Sequence, residues 1–124
     1  MHRYFLNLTL QVAKASDSKI AQVGALLVKD EEVIGIGYNK CILGGLCEED
    51  GKTKPSVVHA EVAAMAGKIT SDCTLYVSHC PCTKCAVFIA TSGIKEVVFM
   101  DDFKNNEGMD LLIKKNIKIT KYGS

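Results

Sequence analysis

Two short motifs, far apart in the chain, constrain the fold more than any other feature of the sequence. The first is His59-Ala60-Glu61, and the second is Pro81-Cys82-Thr83-Lys84-Cys85. His59, Cys82 and Cys85 can supply three of the four tetrahedral positions around a zinc ion, and a site with three protein ligands keeps the fourth position open for chemistry. The fold must therefore bring these two segments together.

Glu61 lies beside the predicted ligands without belonging to them. Zinc lowers the pKa of a bound water to about 7, so hydroxide is available at neutral pH. Glu61 is then placed to carry protons between water and substrate. The alternatives for the separate parts are a redox pair or half of a structural zinc knuckle for Cys82 and Cys85, and ordinary packing for His59. The combination, with Pro81 before the first cysteine, favours a catalytic zinc site.

Length and composition predict one globular domain over residues 1–124, since 48% of the residues are hydrophobic. No apolar run reaches the ~18 residues of a membrane span, and the N-terminus lacks the pattern of a signal peptide. We therefore expect a cytoplasmic protein whose six cysteines are mainly reduced thiols. The net charge is +1, the only arginine is Arg3 and tryptophan is absent. This composition favours a small-molecule substrate over a long nucleic acid.

The order of the predicted elements indicates an α/β fold. Strands that alternate with helices after an initial hairpin favour a mixed five-stranded sheet with helices on both faces. Gly35 and Gly37 in the second strand indicate a close approach by another element or a ligand. The predicted helices cover 3–14, 58–68, 82–91 and 107–115, the strands cover 23–29, 33–38, 73–78, 96–100 and 117–120, and 39–55 is a long loop beside the site.

Both metal motifs fall at predicted helix starts, which adjacent crossovers would place at one edge of the sheet, where α/β proteins bind ligands. Positions i and i+2 of a regular helix do not face each other. His59 and Glu61 are therefore expected to share a pocket only if His59 lies in the first helical turn. Pro81 is predicted to occupy the first turn of the next helix.

The chain resembles the cytidine and deoxycytidylate deaminase superfamily over nearly its whole length. Val23-Gly24-Ala25, Gly37-Tyr38-Asn39, the two zinc motifs and the segment 93–98 appear in family order. The flanks, including the segment 47–54, are most similar to viral and bacterial deoxycytidylate (dCMP) deaminases. The resemblance implies a three-layer α-β-α fold and hydrolytic conversion of dCMP to dUMP and ammonia. Zinc hydroxide would attack C4, with Glu61 as the proton shuttle.

The resemblance also implies which residues contact the substrate. The Asn39 side chain is expected at the sugar, the Cys80 carbonyl at the amino group and Phe103 near the nucleotide. With one arginine in the chain, lysines would have to hold the phosphate. The full set of expected substrate contacts is Asn39, Ala25, Ala60, Cys80 and Phe103, with Lys40 and Lys104 as phosphate candidates.

The same resemblance carries expectations about cofactors and partners. Besides the catalytic zinc, these are Mg²⁺ bound with a nucleotide effector, control by dCTP and dTTP, and a homo-oligomer between dimer and hexamer. No membrane partner is expected. A second, structural zinc would draw its ligands from Cys41, Cys47, Cys73, Cys80 and His79.

Two alternatives stay open from sequence. One is deamination of another cytosine, guanine or adenine nucleoside or nucleotide, or of a base in transfer RNA. The other is a zinc-binding scaffold without activity. Glu61 argues against the scaffold, because a structural zinc needs no proton shuttle.

Overall fold

The computed structural model describes residues 1–18, 21–41, 57–100 and 107–122, together with the backbone of 48–49 and 52–53. Four helices and nine strands lie within this part of the chain. The helices are α1 (His2–Ala13), α2 (Ala60–Met65), α3 (Thr83–Ala90) and α4 (Glu107–Lys114). The strands are β1 (Gly24–Lys29), β2 (Glu32–Tyr38), β3 (Lys40–Cys41), β4 (Glu48–Glu49), β5 (Lys52–Thr53), β6 (Val57–Val58), β7 (Thr74–Val77), β8 (Glu96–Phe99) and β9 (Lys118–Lys121).

The main sheet has five strands in the order β2-β1-β7-β8-β9. Strand β1 is antiparallel to both of its neighbours, β2 and β7, whereas β7, β8 and β9 run parallel. The predicted mixed five-stranded sheet is therefore confirmed. The parallel half arises because α3 and α4 each connect one strand to the next, as parallel crossovers require.

Strand β1 shows how the sheet separates two apolar layers. Successive side chains of a strand point to opposite faces. Ala25 and Leu27 belong to the larger core cluster, which includes residues of α2, α3 and α4. Leu26 and Val28 belong to a smaller cluster with side chains from α1. Helix α1 thus covers one face of the sheet and the other three helices cover the opposite face, which confirms the three-layer α-β-α fold.

Helix α2 lies directly on strand β2 because two glycines leave room for its backbone. A Cβ atom at Gly37 would lie 2.3 Å from the carbonyl oxygen of Ala60, and one at Gly35 would lie 2.1 Å from that of Ala64. Real Cβ atoms essentially never show contacts this short. The close approach predicted for these glycines is confirmed, and the approaching element is the helix that follows His59.

The segment predicted as one long loop contains short pairs of strands in its described parts. Strand β3 pairs with β6 and β4 pairs with β5, each antiparallel. The pairing with β3 keeps residues 57–58 extended, so α2 begins at Ala60 rather than at residue 58. At its other end, Ala66 leaves the helical region with ψ 127° and Gly67 has φ +71°. These backbone angles end the helix earlier than the predicted residue 68.

None of the helices in the described ranges combines the length and apolarity needed to cross a membrane.

Candidate active site

His59 reaches the site from the position just before α2. It is the N-cap residue, with extended backbone angles of φ −74° and ψ 152°. Its carbonyl oxygen accepts the backbone N–H of Ala63 at 3.0 Å, which closes the first turn. His59 thus lies one residue before the first turn, and its carbonyl oxygen closes that turn. Because His59 has extended backbone angles, only Glu61 is constrained by helical geometry. The two side chains can therefore reach the same pocket although they are two positions apart.

Cys82 occupies the equivalent position before α3. It is the N-cap residue with φ −73° and ψ 171°, and its carbonyl accepts the N–H of Ala86 at 2.9 Å. Pro81 therefore precedes the cap and is not in the first turn as predicted. Cys85 lies inside the first turn and is buried. An N-cap side chain and the residue three positions later face each other across the open helix end, so the two sulfurs converge.

The three predicted ligands do come together. The ligand atoms of His59, Cys82 and Cys85 all lie within 4.8 Å of one another, and His59 Nδ1 is 3.7 Å from Cys82 Sγ. Atoms bound to one zinc ion at about 2.1–2.3 Å in tetrahedral geometry are separated by roughly 3.5–3.8 Å. The donor set of one imidazole and two thiols suits zinc. These residues fit a zinc ion with one position left for a small molecule.

The electrostatics of the cluster favour a thiolate at Cys82. Hydrogen bonds from Cys85 and then His59 lower the pKa of Cys82 to about 3. The pKa of Cys85 is raised, first by its hydrogen bond to Cys82 and then by burial. The hydrogen bond to Cys82 also raises the pKa of His59 against the opposing effect of burial. A metal must displace the proton of the Cys85 thiol, so binding releases a proton to solvent.

Glu61 is a buried carboxyl group beside the ligands. Its exposed fraction is 4%. Burial raises its pKa, and its own backbone N–H, the strongest opposing contact, lowers it. A carboxyl group whose pKa is raised towards the working pH can both accept and return a proton. The prediction that Glu61 adjoins the ligands is therefore matched by its position and by its environment.

A cavity of about 300 Å³ opens over this cluster. It is lined by His59, Glu61 and Cys82, and also by three of the predicted substrate contacts, Asn39, Ala60 and Cys80. The volume is at the lower end of the range of ~300–1,000 Å³ typical of small-molecule sites. The arrangement can hold a metal ion at its floor and a small polar molecule above it.

The Asn39 side chain also has a structural role. Its Oδ1 accepts the backbone N–H of Val23 at 2.9 Å, and its Nδ2 donates to the carbonyl of Ala21 at 2.8 Å. Val23 and Ala21 themselves line the cavity. Asn39 thus fixes one wall and retains one amide hydrogen for a ligand.

Two other predicted residues, Ala25 and Lys40, are not among the residues that line the cavity. Ala25 is fully buried in β1, opposite Gly37 and Val77 in the sheet, and is not among the lining residues. Its expected substrate contact is not supported, because its side chain belongs to the core. The Lys40 ammonium lies 5.4 Å from the centre of the Tyr38 ring and is not among the lining residues either. Phe103 and Lys104 lie outside the described residues.

Four residues that line the cavity were not predicted to contact a substrate: Ala21, Val23, Val57 and His79. His79 appeared only as a candidate ligand of a second zinc ion. A polar residue three positions before Cys82 was the available signal. It was insufficient because the direction of the side chain depends on how the chain leaves β7.

The remaining cysteines differ from the expectation in one respect. Cys41 is disulfide-bonded, so the expected reduced state is wrong at this position. Cys73, Cys80, Cys82 and Cys85 form no disulfide bond, and the partner of Cys41 therefore lies outside the described residues. Within the ranges that the structure describes, His59, Cys82 and Cys85 form the only cluster of three or more potential metal ligands.

The comparisons with known proteins agree with this site. Residues 1–101 match the family model for the cytidine and deoxycytidylate deaminase zinc-binding region. The chain is 38% identical over 115 residues to the deoxycytidylate deaminase of Homo sapiens, a match covering 80% of this chain and 64% of the relative. It is 35% identical over 116 residues to that of Mycobacterium phage D29, covering 77% of this chain and 91% of the relative. The chain belongs to the cytidine and deoxycytidylate deaminase family.

A solved structure shares the fold over almost the whole chain. It is the dCMP deaminase of the cyanophage S-TIM5, in complex with dCMP and dUMP, with a TM-score of 0.87 and 28% identity. The match covers 97% of this chain and 95% of the cyanophage chain. The match with the deoxycytidylate deaminases of three animals spans only 64% of the length of those proteins.

Proposed function

We propose that this chain is a zinc-dependent hydrolase that converts dCMP to dUMP and ammonia. The observation that carries the proposal is the buried Glu61 beside three converging zinc ligands at the floor of an open cavity. The choice of dCMP draws further support from the cyanophage relative, whose structure was solved with dCMP and dUMP. Such a reaction would belong to pyrimidine nucleotide biosynthesis.

His59, Cys82 and Cys85 would hold the metal. When bound, zinc polarises a water molecule and makes it nucleophilic at neutral pH. Glu61 accepts the proton that this water gives up and delivers it to the neighbouring ring nitrogen, N3. The C4–O bond forms as N3 takes the proton.

Glu61 acts a second time when the amino group leaves. It transfers a further proton from the new hydroxyl group to the amino nitrogen, so that the C4–N bond breaks and ammonia departs. The Cys80 carbonyl would accept a hydrogen bond from the amino group, and Ala60 and Asn39 would contact the base and sugar; all three residues line the cavity.

The test is ammonia release from dCMP by the zinc-loaded protein, with Glu61→Gln as its matched variant. Glutamine keeps the size of the side chain but cannot carry a proton, so we expect kcat to fall by about 10²–10⁴-fold. Zinc content should remain near one per chain. Activity of Glu61→Gln equal to wild type would refute the role of Glu61.

A substrate panel separates dCMP from the alternatives. It contains CMP, deoxycytidine, dCTP, a guanine nucleoside and a transfer-RNA stem-loop with adenosine. Preference for another member would keep the chemistry and change the substrate. If the zinc-loaded protein released no ammonia from dCMP or from any member of the panel, the enzymatic proposal would be refuted and the scaffold would be favoured.

Regulation, assembly and location rest on the family resemblance. We propose one deaminase domain over residues 1–124, a cytoplasmic location, homo-oligomers between dimer and hexamer, and control by dCTP and dTTP with Mg²⁺. Exposed apolar side chains on α3 and α4 support assembly: Val87 is 43% exposed, Phe88 41% and Ile113 57%. Sedimentation with and without dCTP, dTTP and Mg²⁺ tests both assembly and effector binding, and a monomer under all conditions would refute the assembly. A measured stoichiometry of one zinc per chain would exclude a second zinc.

A further inference from the structure

His79 is a cavity residue that neither the metal cluster nor the proton transfers use. It follows β7, is half-buried and lines the cavity over the zinc ligands. Its Nδ1 lies 2.9 Å from the hydroxyl oxygen of Ser78. An imidazole whose one nitrogen is held by the protein can present the other nitrogen to a ligand in a defined state.

The environment of Ser78 decides which nitrogen of His79 carries the hydrogen. Ser78 is 3% exposed, and its hydroxyl oxygen accepts the backbone N–H of Gly24 at 3.1 Å. A hydroxyl group has one hydrogen to donate. Among the described residues, His79 Nδ1 is the acceptor within reach of that hydrogen. We therefore assign the tautomer in which Nδ1 accepts from Ser78 and the hydrogen lies on Nε2.

The Nε2–H group has no hydrogen-bond partner within the described ranges. Among the described residues that line the cavity there is no lysine or arginine. His59, the other basic side chain of the lining, contacts Cys82 in the metal cluster. The Asn39 amide already donates one hydrogen to Ala21. His79 is therefore a basic side chain that the described lining keeps available for a ligand.

We propose that His79 binds an oxygen atom of the nucleotide through its Nε2–H, with Ser78 as the positioning residue that holds the tautomer. This inference rests on the proposed function, because the ligand is the nucleotide substrate. In the proposed mechanism C4, N3 and the amino group of the base face Glu61 and the metal ligands. An acceptor oxygen is therefore favoured away from the metal ligands, on the phosphate, the sugar or the base carbonyl.

The test compares kcat and KM of zinc-loaded His79→Phe and His79→Gln with wild type. Phenylalanine keeps the ring but removes the donor, whereas glutamine keeps an N–H group at similar reach. We expect His79→Phe to raise KM by about threefold to tenfold if the acceptor is neutral, and by tenfold or more if it is a phosphate. We expect His79→Gln to restore most of the affinity. His2→Phe is the matched control, because His2 lies on α1 and contacts Tyr76 instead.

Two substrates identify the acceptor. A loss confined to dCMP assigns the Nε2–H to the phosphate, and an equal loss with deoxycytidine assigns it to the sugar or base. An unchanged KM in His79→Phe, with wild type active on dCMP, would overturn the inference while the proposed function stands. Inactive wild-type protein with full zinc would instead refute the proposed function.

Nitrogen-15 NMR of the histidine rings gives a readout that does not depend on activity. The zinc-loaded protein should show His79 as the neutral Nε2–H tautomer. Ser78→Ala should shift His79 towards a mixture of tautomers and raise KM by less than His79→Phe does. A spectrum showing His79 as the Nδ1–H tautomer in wild type would overturn the assignment.

Discussion

The contact between Gly37 and the first turn of α2 offers a direct test of how the fold positions the site. In Gly37→Ala, the new Cβ atom would lie 2.3 Å from the Ala60 carbonyl oxygen and 2.4 Å from the Ala64 backbone nitrogen. Ordinary van der Waals contact begins at 3.4 Å. Since both neighbours are backbone atoms, no side chain can rotate away, and the helix must move by about 1 Å.

Two effects should follow from this displacement. Forcing an extra methyl group into a packed interface costs about 1–3 kcal/mol of unfolding free energy. His59 and Glu61 would move with α2, whereas Cys82 and Cys85 belong to α3 and would stay. Loss of support for metal ligands typically lowers affinity about 10–100-fold, and a misplacement of 1 Å can lower catalysis about 10²-fold. We expect weaker zinc binding and a lower kcat in Gly37→Ala.

Gly24→Ala is the control for stability. Its Cβ would lie 2.1 Å from the Thr9 carbonyl oxygen and 2.7 Å from the Ala13 backbone nitrogen. This clash is equally severe, but it displaces α1 on the opposite face of the sheet. Urea unfolding and competition with a chelator measure stability and zinc affinity for both variants. Equal zinc affinities in the two variants, or a Gly37→Ala protein as stable as wild type, would refute the reasoning.

Two further predictions concern the alkaline limit of stability and the metal. Burial, and then the nearby Glu96, raise the pKa of Tyr76 to about 12. In the unfolded chain the Tyr76 phenol loses its proton near pH ~10. The contribution of the raised pKa to the free energy of unfolding is therefore complete below pH ~10. It is lost as the pH rises towards 12, by at most about 2–3 kcal/mol. Urea unfolding from pH 9 to 12 should show this loss in wild type but not in Tyr76→Phe. If the free energies of unfolding of the two proteins fell in parallel with pH, the prediction would be contradicted. Cys82→Ser should lose its zinc in elemental analysis, whereas Cys73→Ser, at a free cysteine buried away from the cluster, should keep it; equal zinc contents would argue against Cys82 as a ligand.

The metal site could be predicted from sequence because residue type carries most of the information. His59, Cys82 and Cys85 are the side chains that zinc prefers, and their positions near helix starts follow from local patterns. The alternation of strands with helices was also sufficient for the mixed sheet, and the two glycines of β2 were sufficient to indicate a close approach by another element or a ligand. These features depend on the periodicity and chemistry of short segments, which a single sequence contains.

The rest depends on contacts between distant segments. Ala25 matches a family motif, but its side chain faces the core because β1 has both faces buried. In the proposed arrangement His79 presents Nε2 to a ligand because its Nδ1 is hydrogen-bonded to the Ser78 hydroxyl group. That hydroxyl group in turn accepts the backbone N–H of Gly24. Gly24 and Ser78 are 54 positions apart. No pattern within one segment contains that pairing.

The two extended N-caps show how side chains from separate segments reach one site. A residue within a helix projects its side chain in a direction set by its neighbours, whereas an N-cap residue has non-helical backbone angles and turns its side chain across the helix end. His59 and Cys82 both occupy such positions, at the ends of segments that come from β6 and β7. Glu61 and Cys85 then follow within the first turns and complete the cluster. Two helix starts that meet at one cavity thus bring an imidazole, two sulfurs and a carboxyl group together, although no two of these side chains are adjacent in the sequence.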